Sequence, residues 1–171
     1  MDGPKRLDAL PLEEAREAFH RCCGSARWAE RMVKGRPYRS EGALMTAAER
    51  AFATLGRADW LEAFSHHPRI GDRQALAARF TPTRQWSSGE QGGVSGANDE
   101  VLAWLAETNR AYAERFGYTF IVCATGSSAS EMLAALEERL GNDPDREIAV
   151  AAAEQVKITA IRLTKLLTEV F

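Results

Sequence analysis

Residues 145–171 constrain the fold of this chain most strongly, because they contain neither glycine nor proline and run to the C-terminus. Asp143 and Pro144 directly before them match an N-cap followed by proline at the first helical position. The alanine-rich stretch beyond also favours a helix. The sequence therefore predicts one long C-terminal helix.

The segments upstream repeat the same helical pattern. Apolar residues recur at three- and four-residue steps in residues 13–23, 41–55 and 98–116. Gly117 supplies a stop signal for the third segment. Ser128, with Glu131 three residues later, matches a capping box that opens another helix, and Gly141 ends it.

Residues 118–124 alone favour a strand, because they combine aromatic and β-branched side chains. A lone strand has no partner with which to pair, so we interpret this segment as non-strand. A chain of 171 residues with 45% hydrophobic residues can bury one core of ordinary size. We therefore predict an all-α helical bundle that forms a single domain over residues 1–171.

The charge pattern excludes several kinds of partner. Acidic and basic residues are interleaved, and the formal net charge is -2, so neither nucleic acid nor an anionic membrane is an expected partner. No apolar run is long enough to span a bilayer. The three cysteines lack a C-x-x-C spacing, which fits reduced thiols in a cytoplasm, and we interpret Cys22 and Cys23 as small buried hydrophobes.

Two adjacent histidines, His66 and His67, stand directly before Pro68, which tends to end a helix. One of them could act as a general acid or base, since the unperturbed pKa of histidine is about 6.5. The alternative is that both are surface or capping residues. Adjacent helical positions point about 100° apart, so a chelating metal pair is the weaker interpretation.

Polar candidates also occur in a Ser- and Gly-rich central segment, residues 81–97, and in the C-terminal helix. In the central segment, Ser87, Glu90 and Gln91 could bind a polar small molecule, or the segment could be a solvated connector. In the helix, Arg162 has Ile158 and Leu166 one turn away, so its guanidinium needs a carboxylate from within the protein or from a ligand. The alternative is an arginine that is paired internally or that extends its charged end to solvent. Motifs for nucleotide cofactors and serine hydrolases are absent from the sequence.

The order of four motifs is similar to that of the OHCU decarboxylase family, where OHCU is 2-oxo-4-hydroxy-4-carboxy-5-ureidoimidazoline. Residues 67–71 (HPRIG) resemble the block H-P-x-[IL]-G, and residues 87–91 (SSGEQ) resemble S-x-x-E-Q. Residues 109–121 resemble N-x-x-Y-x-x-x-F-G-x-x-F-I. The last motif, in residues 139–163, resembles R-x-x-N-x-x-x-x-E followed by K-I-x-x-x-R-L.

This resemblance implies an all-helical homodimer that converts a small ureide, OHCU, to (S)-allantoin without metal or organic cofactor. It implies that His67 is the catalytic histidine, Glu90 its carboxylate partner and Arg162 an arginine that contacts substrate. The implied substrate-lining positions are Pro68, Ser87, Gln91, Phe120, Ile121, Val122, Cys123 and Ala124. Many eukaryotic relatives end in a peroxisomal tripeptide, and this chain ends in EVF, so the expected location is cytoplasmic.

Two other functions are compatible with the residues themselves. A metal-dependent amidohydrolase would use His66 or His67 with Asp72 and Glu90, and would lose activity on chelation. A non-catalytic helical module would use tryptophans and arginines to bind another protein and would show no turnover.

Overall fold

The computed structural model describes residues 2–68 and 95–169, and its regular secondary structure in these ranges is entirely α-helical, which confirms the all-α prediction. The helices are α1 (Gly3–Ala9), α2 (Leu12–Cys22), α3 (Ala26–Lys34), α4 (Glu41–Ala53), α5 (Arg57–Ser65), α6 (Ser95–Phe116), α7 (Ala129–Leu140) and α8 (Pro144–Thr168). None of these helices combines the length and the apolarity that crossing a bilayer requires.

Local capping explains where several helices begin and end. The Ser128 hydroxyl accepts the Glu131 N–H at 3.1 Å at the start of α7, and the Asp143 carboxylate accepts the Arg146 N–H at 3.0 Å at the start of α8. Gly117 follows α6 with a φ of +84°, a conformation that glycine adopts without strain. The long terminal helix and both predicted starts are therefore confirmed.

Two helices, α1 and α3, were not predicted from the sequence, and of α5 only the end before Pro68 was predicted. Both begin with a side-chain cap: Asp2 accepts the Lys5 N–H at 3.1 Å, and Ser25 accepts the Trp28 N–H at 3.2 Å. Each helix is shorter than three turns, so its apolar periodicity is brief. The caps were the signal that could have located them.

The described residues form two compact units. The first comprises residues 2–66, 121–123 and 152–169, and the second comprises residues 67–68, 95–120 and 124–151. The C-terminal helix α8 therefore contributes its first turns to the second unit and the remainder to the first.

The core of the first unit is built where α3 packs against α2 and α4. The ring of Phe19 meets the rings of Trp28 and Tyr38 edge-on, with centroids 6.1 and 6.2 Å apart. The buried Trp28 indole donates to the Ala48 carbonyl at 3.1 Å, so its polar atom is satisfied.

The core of the second unit lies between α6, α7 and the start of α8. Helix α6 packs extensively against α7. Leu105 and Tyr112 on α6 and Leu136 on α7 are fully buried, and Ile148 near the start of α8 is buried as well. Apolar burial of this kind contributes about 25 cal/mol per Å² of apolar surface removed from water.

Candidate active site

Arg162 is the arginine that the family resemblance predicts to contact substrate. It is half-buried on α8, next to the buried Leu166. In residues 2–68 and 95–169, no carboxylate forms an ion pair or hydrogen bond with its guanidinium. A carboxylate partner for Arg162 is thus not found in the described part of the chain. A half-buried guanidinium in such surroundings is suited to bind a carboxylate or carbonyl of a ligand.

The side chains close enough to interact electrostatically with Arg162 include two adjacent cysteines, Cys22 and Cys23. They are 3% and 0% exposed, which confirms that they are small buried hydrophobes. Burial raises the pKa of Cys22 to about 12, and the charge of Arg162 offsets only part of this rise. Burial also raises the pKa of Cys23. Both thiols are therefore protonated at neutral pH and provide neutral surroundings for the guanidinium.

The two adjacent histidines lie just after α5, which ends at Ser65 as Pro68 predicted. The ring of His66 meets the ring of His20 edge-on at a centroid distance of 4.8 Å. A Cβ added to Gly24 would lie 2.6 Å from His66, so this glycine permits the close approach. His66 is otherwise exposed, whereas His67 is half-buried. The assignment of His67 as the acid or base stays a prediction.

Residues 120–124, the predicted substrate-lining segment, have no regular secondary structure. The interpretation of this segment as non-strand is therefore confirmed. The apolar character of the segment reflects burial, because Phe120 and Ile121 are 3% and 1% exposed, whereas Val122, Cys123 and Ala124 are half-buried. The N–H of Cys123 donates to the carboxylate of Glu154 on α8 at 2.8 Å.

A buried polar cluster holds Phe120 within the second unit. Glu147 is 0% exposed, and its carboxylate accepts from Arg139 Nε at 2.7 Å, from the Tyr112 hydroxyl at 2.6 Å and from the Asn142 amide at 2.9 Å. Burial and the hydrogen bond to Glu147 raise the pKa of Tyr112. The Arg139 guanidinium carbon lies 4.4 Å from the centroid of the Phe120 ring, a cation–π contact. The cluster thus fixes the start of the predicted substrate-lining segment.

The predicted site residues divide between the two units. Ile121, Val122, Cys123 and Arg162 belong to the first unit, whereas His67, Pro68, Phe120 and Ala124 belong to the second. Ser87, Glu90 and Gln91 lie outside the described residues, as does Asp72 of the metal-dependent alternative. The described residues contain no group of three or more His, Cys, Asp or Glu side chains placed to hold a metal ion.

Neither Glu154 nor a role for the residues around Glu147 was predicted from the sequence. Glu154 precedes Arg162 by eight residues on α8, with Ile158 midway. That i, i+4, i+8 spacing places the three residues on one side of a helix and was readable from the sequence. The acceptor role of Glu154 was not, because its partner, the Cys123 N–H, is 31 residues away in the chain.

Comparison with known proteins agrees with this helical architecture and motif order. A family model described as OHCU decarboxylase matches residues 8–164. The chain therefore belongs to the OHCU decarboxylase family. A relative from Arabidopsis thaliana, the uric acid degradation bifunctional protein TTL, is 37% identical over 160 residues, which cover 94% of this chain and 49% of that protein.

Two further relatives have the length of this chain. The 2-oxo-4-hydroxy-4-carboxy-5-ureidoimidazoline decarboxylase of Amia calva is 30% identical over 167 residues, covering 93% of this chain and 91% of that protein. The decarboxylase of the same name from Haloferax volcanii is 28% identical over 162 residues and covers 94% of both chains. The chain thus spans about half of the Arabidopsis protein and nearly all of the other two.

Solved structures show the same fold. A crystal structure of OHCU decarboxylase in the presence of (S)-allantoin superimposes with a TM-score of 0.69 at 34% identity, covering 88% of this chain and 97% of that one. A crystal structure of (S)-allantoin synthase gives a TM-score of 0.70 at 22% identity, covering 96% of this chain and 54% of that one. The second likeness supports the fold alone.

Proposed function

We propose that this chain decarboxylates OHCU to (S)-allantoin in the degradation of urate. The observation that carries the proposal is Arg162: it is half-buried, and no carboxylate within the described ranges pairs with it. In a chain of this family, a carboxylate or ureido carbonyl of the substrate can accept hydrogen bonds from its planar guanidinium.

The chemistry of the substrate explains why side chains can perform the reaction. OHCU carries a carboxylate and a hydroxyl on one ring carbon and a C=N bond at the next carbon. When the bond to the carboxylate breaks and carbon dioxide leaves, its electron pair forms a C=C bond, and the C=N electrons move to the ring nitrogen. The ring nitrogen takes up a proton, and protonation of the neighbouring carbon with loss of the hydroxyl proton then gives the carbonyl of allantoin. The proposed reaction needs no electron sink beyond the substrate itself.

We assign the proton transfers to His67, the half-buried imidazole after α5. In this proposal, Glu90 orients the imidazole or accepts substrate N–H groups, while Ser87, Gln91 and the backbone of residues 120–124 bind the ureido arm. Arg162 binds the carboxylate or the ureido carbonyl. We also propose a cytoplasmic homodimer, for which light scattering of the purified chain is the test of subunit number.

The test generates OHCU in situ from urate with purified upstream enzymes and follows chiral allantoin by circular dichroism. The wild type should accelerate formation of one enantiomer. Activity that disappears with EDTA and returns with zinc would instead support the metal-dependent amidohydrolase. A wild type that leaves the background rate unchanged would refute the proposed function.

His66 and His67 provide a matched pair for the same assay. His67→Ala should lose at least about a hundredfold in rate, as expected for a positioned acid or base, and its product should approach a racemate. His66→Ala should lose far less, because His66 packs against Gly24 and His20. An inactive His66→Ala enzyme, or a His67→Ala enzyme that forms one enantiomer at the normal rate, would contradict the assignment. Far-UV circular dichroism checks that both variants fold.

A further inference from the structure

Glu154 connects the predicted substrate-lining segment to the helix that carries Arg162. One carboxylate oxygen accepts the backbone N–H of Cys123 at 2.8 Å, and the other accepts from the Lys157 ammonium at 2.9 Å. The Glu154 side chain is 17% exposed, whereas that of Lys157 is 62% exposed. The bond to Cys123 is therefore the more shielded of the two and is charge-assisted.

This hydrogen bond matters because residues 120–124 form no helix or strand. The peptide groups of such a segment lack the regular pairing of a helix or sheet, so side chains or water must satisfy them. The peptide between Val122 and Cys123 is trans, so its C=O points away from its N–H. Because the Cys123 N–H points to α8, the Val122 carbonyl points away from Glu154.

The spacing along α8 relates this anchor to Arg162. Eight residues separate Glu154 from Arg162, which places them about 12 Å apart along the helix axis and about 80° apart around it. Both lie in the first unit, together with Val122 and Cys123. The same helix thus carries the guanidinium of Arg162, which is a hydrogen-bond donor, and holds through Glu154 the peptide whose Val122 carbonyl is an acceptor.

We propose that Glu154 is a positioning residue for substrate binding, and this inference rests on the proposed function. Glu154 fixes the Val122–Cys123 peptide so that the Val122 carbonyl accepts ureido N–H groups, while Arg162 binds a carboxylate or carbonyl of the same molecule. In this role Glu154 acts through the segment that it holds, so it affects binding more than the chemical step. The ligand class is a ureide that bears both N–H donors and an anionic or carbonyl acceptor.

The variants Glu154→Ala, Glu154→Gln and Lys157→Met test this role by steady-state kinetics and by calorimetric titration with (S)-allantoin. Glu154→Ala should raise KM and weaken allantoin binding by about tenfold, the range of one charge-assisted hydrogen bond, with a smaller change in kcat. Glu154→Gln retains an oxygen acceptor and should recover part of this loss. Lys157→Met removes the exposed partner and should stay within about twofold of the wild type.

Amide hydrogen exchange of Cys123, measured by NMR, tests the positioning role of Glu154 separately from the proposed function. Exchange should accelerate in Glu154→Ala and not in Lys157→Met. A wild type without OHCU turnover would refute the proposed function, whereas unchanged Cys123 exchange in Glu154→Ala would refute the positioning role by itself. With an active wild type, an unchanged KM and allantoin affinity in Glu154→Ala, or an equal loss in Lys157→Met, would also overturn the inference.

Discussion

The substitution Glu147→Gln removes a buried charge and preserves the shape of the side chain. Glu147 is 0% exposed and accepts from Arg139 at 2.7 Å, Tyr112 at 2.6 Å and Asn142 at 2.9 Å. Glutamine has one acceptor oxygen and an NH2 group that only donates, so the variant cannot accept from the same three donors. Arg139, 8% exposed, also loses the carboxylate that neutralises its charge.

The structure sets the size of the expected effect. Removing one partner of a buried ion pair costs about 3–5 kcal/mol, because the remaining charge stays buried. We expect Glu147→Gln to lower the free energy of unfolding by about this amount. Glu114→Gln on α6 is the control, since Glu114 pairs with Arg110 at 2.8 Å but is 66% exposed. The control should show no measurable loss, because water screens the exposed pair.

Urea denaturation followed by far-UV circular dichroism measures both variants, with equal transition slopes required for the comparison. If Glu147→Gln does not fold, the double variant Glu147→Gln/Arg139→Met keeps the test possible. Removing the buried cation as well should recover at least half of the lost stability. A Glu147→Gln protein within about 1 kcal/mol of the wild type, or a double variant no more stable than the single one, would refute the reasoning.

Three further predictions concern other parts of the chain. Arg162→Lys keeps the charge and loses the planar fork, so kcat/KM should fall by the equivalent of about 2–4 kcal/mol in steady-state kinetics, and wild-type kinetics would make Arg162 structural. Gly117→Ala should cost about 1 kcal/mol in thermal unfolding because φ is +84°, while Gly141→Ala, with φ of -82°, should be nearly neutral; equal effects would contradict this. Burial raises the folded-state pKa of Cys22 to about 12, so the unfolded state ionises first as pH rises. The contribution of this thiol to the free energy of unfolding is complete below about pH 8.5 and declines above it by up to about 1.4 kcal/mol per pH unit. In urea denaturation at rising pH, the free energy of unfolding of Cys22→Ala should therefore fall less steeply than that of the wild type. An equally steep fall would contradict the raised pKa of Cys22.

The helical class and several helix boundaries could be predicted from the sequence because they depend on neighbouring residues. The caps at Ser128 and Asp143 act over three residues, and the length of α8 follows from a run without glycine or proline. The family could also be predicted, because the order of short motifs is itself a property of the sequence. The family match over residues 8–164 confirms it.

The site could be predicted only as a set of residue identities. His67, Glu90, Arg162 and the lining positions came from motif correspondence, and they stay predictions until the variants are measured. Arg162 shows what periodicity leaves open: its apolar stripe indicated a need for an anion and could not say whether the protein supplies one. Among the described residues no carboxylate pairs with Arg162. Only the tertiary structure could show this, because a partner could come from any part of the chain.

The remaining contacts were decided by tertiary structure. Glu147 meets Tyr112 across 35 residues of chain, and Glu154 meets the Cys123 N–H across 31. Neither pair follows a helical or strand period, because each joins separate elements whose relative placement depends on how their apolar faces pack. The same holds for residues 118–124, where local propensity favoured a strand. With no partner strand among the described residues, burial of Phe120 and Ile121 and side-chain hydrogen bonds determined the conformation instead.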